Sequence, residues 1–185
     1  MLLFVEYKGF SFSIFNYFLI FGVNMEKEEQ IRQIESFLEK VIIRELGELQ
    51  KLELSYMQFV LMGQAIEVLG SFWDSKPMKA KDQSSKRFNN SVKYLFGGKY
   101  RLLNDNHFLY DKLRNQMTHT FIAGNGLLLL PHSISEYKHL EFRDGKLVLI
   151  GDVFYKDICV ACKRLLDYLK TGKIKPKSIA FSDDK

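Results

Sequence analysis

Leu109-Tyr110-Asp111-Lys112-Leu113-Arg114-Asn115-Gln116-Met117-Thr118-His119-Thr120-Phe121 is the stretch from which the fold reads outward. Leu109, Leu113, Met117 and Phe121 recur every four residues, so the spacing predicts an amphipathic helix with one buried apolar stripe. Asn104-Asp105-Asn106 offers N-cap chemistry for a start near His107, and Gly124-Asn125-Gly126 an end. Arg114, Asn115 and His119 lie off the stripe. An arginine that keeps its charge and a histidine that titrates near neutral pH suit a phosphodiester-cleaving site, and they also suit a solvated helix face.

Upstream, Ile31, Ile34, Leu38, Val41, Ile42 and Leu46 follow three-and-four spacing and predict a helix over 26–46, with acidic residues in its first turn where the helix dipole favours them. Gly47 is expected to interrupt it. A second helix over 49–73 follows, with Met57, Val60, Leu61, Ala65, Val68 and Phe72 as its core, and the short break implies an antiparallel pair. Within it, Gln64 and Glu67 either bond a neighbouring helix from the edge of the buried face, or Glu67 reaches the pocket of Arg114 and orients it. A breaker-rich basic loop over 74–85 leads to a helix over 84–96, closed by Gly97-Gly98.

Downstream the period changes. Leu127 to Leu130 is a short apolar run, and Leu140 to Ile150 places strands on either side of an Asp144-Gly145 turn, as in a hairpin. A last helix over 152–170 carries Phe154, Ile158, Ala161, Cys162, Leu165, Leu166 and Leu169 on one face. The expected fold class is mainly α: a helical bundle with a small β-hairpin element between the last two helices. Residues 25–171 are expected to form its single domain, and 172–185 a basic flexible tail.

The chain has 185 residues, about one domain, and a formal net charge of +5. That charge is uneven. Residues 76–101 hold eight basic side chains against Asp82 alone, a net of +7, whereas 26–53 hold eight acidic against five basic, a net of −3. The basic segment is suited to a polyanion or simply to solvent. Cys159 and Cys162 are the only cysteines. Two ligands fall short of a zinc site, and the pair lies in a helical pattern without a thioredoxin-like setting, so buried thiols in a reducing, cytoplasmic compartment are expected. Residues 1–24 form an apolar N-terminal extension whose run from Phe10 to Val23, about 14 residues, is shorter than the roughly 20 that span a bilayer, and no transmembrane span is expected. It lacks the basic start and small-residue cleavage site of a signal peptide. Three readings stand: a start at Met25, a strand pair turning at Lys8-Gly9, or a membrane-surface anchor.

The chain has no glycine-rich phosphate loop joined to a strand, no His-Glu-x-x-His, no Gly-x-Ser-x-Gly and no EF-hand loop, and no metal or cofactor is expected. RNA can be cut without metal when one group deprotonates the 2′-hydroxyl, another protonates the leaving 5′-oxygen, and a fixed cation stabilises the charge on phosphorus. His119 suits the acid/base role and Arg114 the cation. Five residues at about 100° each, however, set the two roughly 140° apart around an ideal helix. They converge only if the helix loosens, if their side chains bend round, or if a two-fold dimer brings two copies together, which also supplies a second histidine.

Arg114-Asn115-Gln116-Met117-Thr118-His119 resembles the HEPN pattern of an arginine, four to six residues and a histidine, with a polar residue directly after the arginine. Gln64-Ala65-Ile66-Glu67-Val68-Leu69-Gly70, Arg87-Phe88, Tyr94-Leu95-Phe96 and Leu109-Tyr110-Asp111-Lys112-Leu113 around it are similar to uncharacterised bacterial HEPN-type proteins over roughly 25–170. The resemblance implies an all-helical up-and-down bundle, a homodimer with a composite cleft and, often, metal-independent endoribonuclease activity. Related proteins act as toxins beside antitoxins, in defence systems and in RNA processing, and some bind RNA or nucleotides without cutting. Carried over, Arg114 and His119 are catalytic and Asn115 orients them, while Glu67, Tyr110, Arg87 and Lys93 are expected to contact substrate. The hairpin at 140–150 and the apolar N-terminus depart from the minimal family bundle. Expected partners are RNA, a second copy and an antitoxin. The alternative is a non-catalytic helical module that binds RNA, a nucleotide or a protein.

Overall fold

A computed structural model describes residues 26–179; the apolar extension and the readings attached to it lie outside the described residues. Helix α1 runs over 26–51, its middle widening into a π-helical stretch at Leu38–Ile43. The expected break at Gly47 does not occur. A Cβ there would lie 2.8 Å from the Tyr155 hydroxyl, which donates to the Ile43 carbonyl at 3.0 Å, so this glycine makes room for a neighbouring side chain. The chain reverses instead at Glu53, whose φ is +58°.

Helix α2, Ser55–Gly70, ends in a 3₁₀ turn at Ser71–Trp73 and is the centre of the fold, packing against α1 and against the later segments Ser84–Ser91, Tyr110–Asn115 and Gly151–Lys170. Its buried apolar side chains are Phe59, Val60, Met62, Ala65, Ile66 and Leu69, whereas Met57 and Leu61 are each 39 % exposed, contrary to the sequence expectation. A helix surrounded on most sides is apolar nearly all round, so periodicity marks no single face for it.

Helix α3 comprises Ser84–Ser91 and a π-helical continuation, Val92–Phe96. It crosses α2 so closely that a Cβ on Gly70 would lie 1.7 Å from the Arg87 carbonyl oxygen. Gly97, at φ +95°, turns the chain into α4, Gly98–Leu103, a helix that the sequence reading did not expect. Helix α5 covers 108–120, π-helical at Tyr110–Asn115 and α-helical at Gln116–Thr120. Leu109, Leu113 and Met117 are buried as expected. A strict four-residue repeat drifts about 40° per step on an α-helix, and the wider π turns absorb that drift. Phe121 leaves the stripe: at φ +54° it ends the helix and is 63 % exposed.

Strands β1 (Leu127–Leu130), β2 (Phe142–Arg143) and β3 (Lys146–Ile150) form a sheet of order β1-β3-β2. The expected hairpin is β2-β3, turning with positive φ at Asp144 and Gly145, as a two-residue turn requires. The apolar run pairs parallel to β3, from Leu127 against Leu147 to Leu130 against Ile150. Helix α6, Gly151–Lys170, buries Phe154, Ile158, Ala161, Cys162, Leu165 and Leu169 as the sequence predicts. Its Arg164 donates to the Leu95 carbonyl at the end of α3. Residues 173–179, expected within a flexible tail, return over the body: Lys177 Nζ donates to Asp74 Oδ1 at 3.1 Å and to the Lys76 carbonyl at 2.8 Å. The described chain is thus mainly helical with a small three-stranded sheet.

Candidate functional site

Gly63 is where α2 and α5 approach most closely around Arg114: a Cβ on Gly63 would lie 3.3 Å from the Arg114 Cα. Gln64 and Glu67, one residue and one turn further along α2, therefore flank the arginine side chain. Arg114 Nε lies 2.5 Å from Glu67 Oε2, both side chains being largely covered. The contact is a charge pair, since Nε is not aligned for a hydrogen bond. Arg114 Nη2 donates to Gln64 Oε1 at 3.4 Å, and Gln64 Nε2 donates to Thr118 Oγ1 at 3.0 Å. From α3, Ser84 Oγ donates to Glu67 Oε2 at 2.6 Å. Glu67 thus holds Arg114 while Ser84 holds Glu67, and Arg114 Nη1 makes no hydrogen bond among the described residues.

Asn115 and His119 are exposed on the other side of α5, with no hydrogen-bond partner among the described residues. The helix does loosen, but the π stretch ends at Asn115, so few of the five steps from Arg114 to His119 are widened. Arg114 faces α2 and His119 faces out. Phe121 and Ile122, each 63 % exposed, follow directly and make the surface beside His119 apolar.

The four expected substrate contacts separate. Glu67 belongs to the Arg114 cluster. Tyr110 packs edge-on against Phe88, with ring centroids 5.7 Å apart, at the start of the π stretch. Arg87 is a clamp inside the protein: its guanidinium donates to both Asp74 carboxylate oxygens (2.7 and 3.1 Å) and to the carbonyls of Met78 (2.6 Å) and Pro77 (2.8 Å), leaving one of five donors for anything else. Closing the 74–83 loop uses the charge of Arg87. Burial pushes the Asp74 carboxyl up, but hydrogen bonds from Arg87 and Lys177 outweigh it and the net shift is downward. Lys93 is exposed over the Tyr94 ring, 5.0 Å from its centroid, among aromatic residues rather than around Arg114.

Two histidine networks escaped the sequence reading. Tyr110 N–H donates to Asn104 Oδ1 (3.0 Å), Asn104 Nδ2 donates to Asn89 Oδ1 (2.6 Å), and Asn89 Nδ2 then donates to His107 Nδ1 (2.9 Å). A backbone donor therefore sets both amide orientations, and the neutral His107 ring carries its proton on Nε2. His107 is exposed, has a φ of +61°, and also meets Ser85 Oγ at 3.1 Å, one residue from the serine that holds Glu67. In the second network, His139 Nδ1 accepts the Ile150 N–H at 2.9 Å, so the Tyr100 hydroxyl accepts from His139 Nε2 (2.8 Å) and donates to Asp157 Oδ2 (2.6 Å). Burial lowers His139 to about 4 against the pull of Asp157, and burial, followed by Asp157, raises Tyr100. The only signal for either network was isolated histidines in loops, which spacing cannot connect.

Burial pushes the Cys162 thiol up to about 12 and raises Cys159 as well, which suppresses thiolate chemistry at the Cys-x-x-Cys pair. Among the described residues no three His, Cys, Asp or Glu side chains gather as metal ligands, and no helix is long and apolar enough to cross a membrane. No protein-family model, curated protein or solved structure matches the chain.

Proposed function

We propose that the protein is a metal-independent endoribonuclease of HEPN type, an up-and-down bundle acting as a homodimer whose cleft combines Arg114 and His119 from two copies. The observation that carries this reading is the seating of Arg114: a covered guanidinium, oriented by Glu67 and Gln64, with Nη1 uncommitted among the described residues. A fixed cation with open donors is what a phosphorane-like transition state requires. In the reaction the 2′-oxygen bonds to phosphorus as the bond from phosphorus to the 5′-oxygen breaks. The 2′-proton passes to His119, and the protonated ring of the partner subunit's His119 gives a proton to the 5′-oxygen. The products are a 2′,3′-cyclic phosphate and a 5′-hydroxyl.

The surface around His119 supports pairing of two copies. Phe121 and Ile122 are open beside it, and a groove of about 430 Å³ between α1 and α2, lined by Val41, Leu61, Ala65 and Val68, reaches Gln64 of the Arg114 cluster. Cytoplasmic RNA as substrate and an antitoxin that covers the cleft belong to the same reading. A second reading, a non-catalytic RNA-, nucleotide- or protein-binding module, is favoured by one observation: Glu67 neutralises Arg114 in the isolated chain.

Purified protein incubated with single-stranded RNA in chelator separates the two. Cleavage to cyclic-phosphate ends, slowed at least about 100-fold in an Arg114→Ala/His119→Ala variant, is expected. Equal, trace-level degradation by both proteins rejects the ribonuclease reading.

A further inference from the structure

We propose a second RNA contact, separate from the Arg114 cluster: an aromatic slot at Trp73, rimmed by lysines, that stacks an unpaired base of a single-stranded RNA. It rests on RNA being the ligand, and not on the RNA being cut. The Trp73 ring lies parallel to that of Tyr94, with centroids 5.2 Å apart and planes at 4°, and meets Tyr168 edge-on at 6.1 Å. Beside it, a groove of about 440 Å³ runs between Trp73 and Ser75 on one side and Lys175 and Pro176 of the returning tail on the other. Trp73 and Pro176 both line it, a combination of planar and apolar rings suited to a planar base.

The charge around the slot is positive and open. Lys93 Nζ lies 5.0 Å from the Tyr94 ring centroid and Lys173 Nζ 4.8 Å from that of Tyr168. Neither these two lysines nor Lys175 has a carboxylate partner among the described residues. Asp74, the carboxylate within the groove, is already held by Arg87 and Lys177. Tyr94 is 38 % exposed, so the aromatic cluster is not closed off as a packing core would be. An indole lining the groove and ammonium groups that reach a passing backbone match unpaired RNA; a duplex hides its base faces, and a bare polyanion has none.

Trp73 is the chain's single tryptophan, so its fluorescence reports this slot alone. The Arg114→Ala/His119→Ala variant, which leaves the slot intact, is titrated with a twelve-nucleotide oligoadenylate, the matching A·U duplex and inorganic polyphosphate. Saturable quenching by the oligoadenylate is expected, with little from the duplex or polyphosphate, and with binding weakened roughly ten-fold or more in a Lys173→Glu/Lys175→Glu variant. Tyr94→Leu is expected to weaken binding to a similar degree while circular dichroism stays that of the parent. Absence of quenching, equal quenching by polyphosphate, or unchanged affinity in the charge-reversed variant overturns the slot. Cleavage by the parent protein without quenching overturns the slot and spares the ribonuclease reading; quenching without cleavage does the reverse.

Discussion

At the scale of single residues, His139 ties acidity to stability. Its ring accepts a backbone N–H at Nδ1 and is held at about 4 by burial, against 6.5 for the free side chain. The native state therefore binds this proton less readily than the unfolded chain. The ring's full contribution is present above about pH 6.5 and is lost as pH falls toward 4, a difference of roughly 3 kcal/mol. Urea unfolding at pH 7 and pH 4.5 should show most of that loss, and a His139→Gln variant, whose amide oxygen can still accept from Ile150, should show much less; equal losses would contradict the network. Neither this histidine nor His107 was legible beforehand, because each acquires its meaning from groups distant in sequence: Tyr100 and Asp157 for one, Asn89 for the other. Arg114 was legible as a candidate because it lies off the apolar stripe in a pattern with His119, and Gln64 and Glu67 because they are polar residues in an apolar run. Arg87 looked equally available, and only the fold reveals that a loop already uses it.

At the scale of elements, α2 and α3 cross at Gly70, the closest approach at any glycine among the described residues. With the Arg87 carbonyl oxygen 1.7 Å from where a Cβ would stand, Gly70→Ala forces the helices apart, and backbone rather than a flexible side chain has to move. A loss of roughly 3 kcal/mol or more is expected in chemical denaturation, near the upper end for overpacking; a loss below about 1 kcal/mol would mean that the helices slide without cost. The hairpin turn and the buried face of α6 could be read in advance because both are local patterns. The π-helical stretches could not, because an i→i+5 hydrogen bond leaves no signature in residue type. The burial of α2 was misread at Met57 and Leu61 because a central helix has several apolar faces and the exposed one looks the same in sequence.

At the scale of the whole molecule, the proposed dimer is tested at the surfaces left open. Leu61 and Val41, 39 % and 48 % exposed, border the groove that reaches Gln64, so a Leu61→Glu change places charge on the proposed interface at little cost to the fold. Light scattering should give a dimer for the parent protein and a folded monomer for the variant, with RNA cleavage lost alongside; a parent that stays monomeric at tens of micromolar would sink the composite cleft. The order in which the chain is made adds a separate consequence. Helix α2 is walled on one side by α6, the last helix, and the Asp74–Arg87 clamp gains its third partner only from Lys177, 103 residues after Asp74. During synthesis, therefore, the side of α2 that α6 covers stays open until Gly151–Lys170 has left the ribosome. In that interval the apolar side of α2 depends on whatever shields nascent chains.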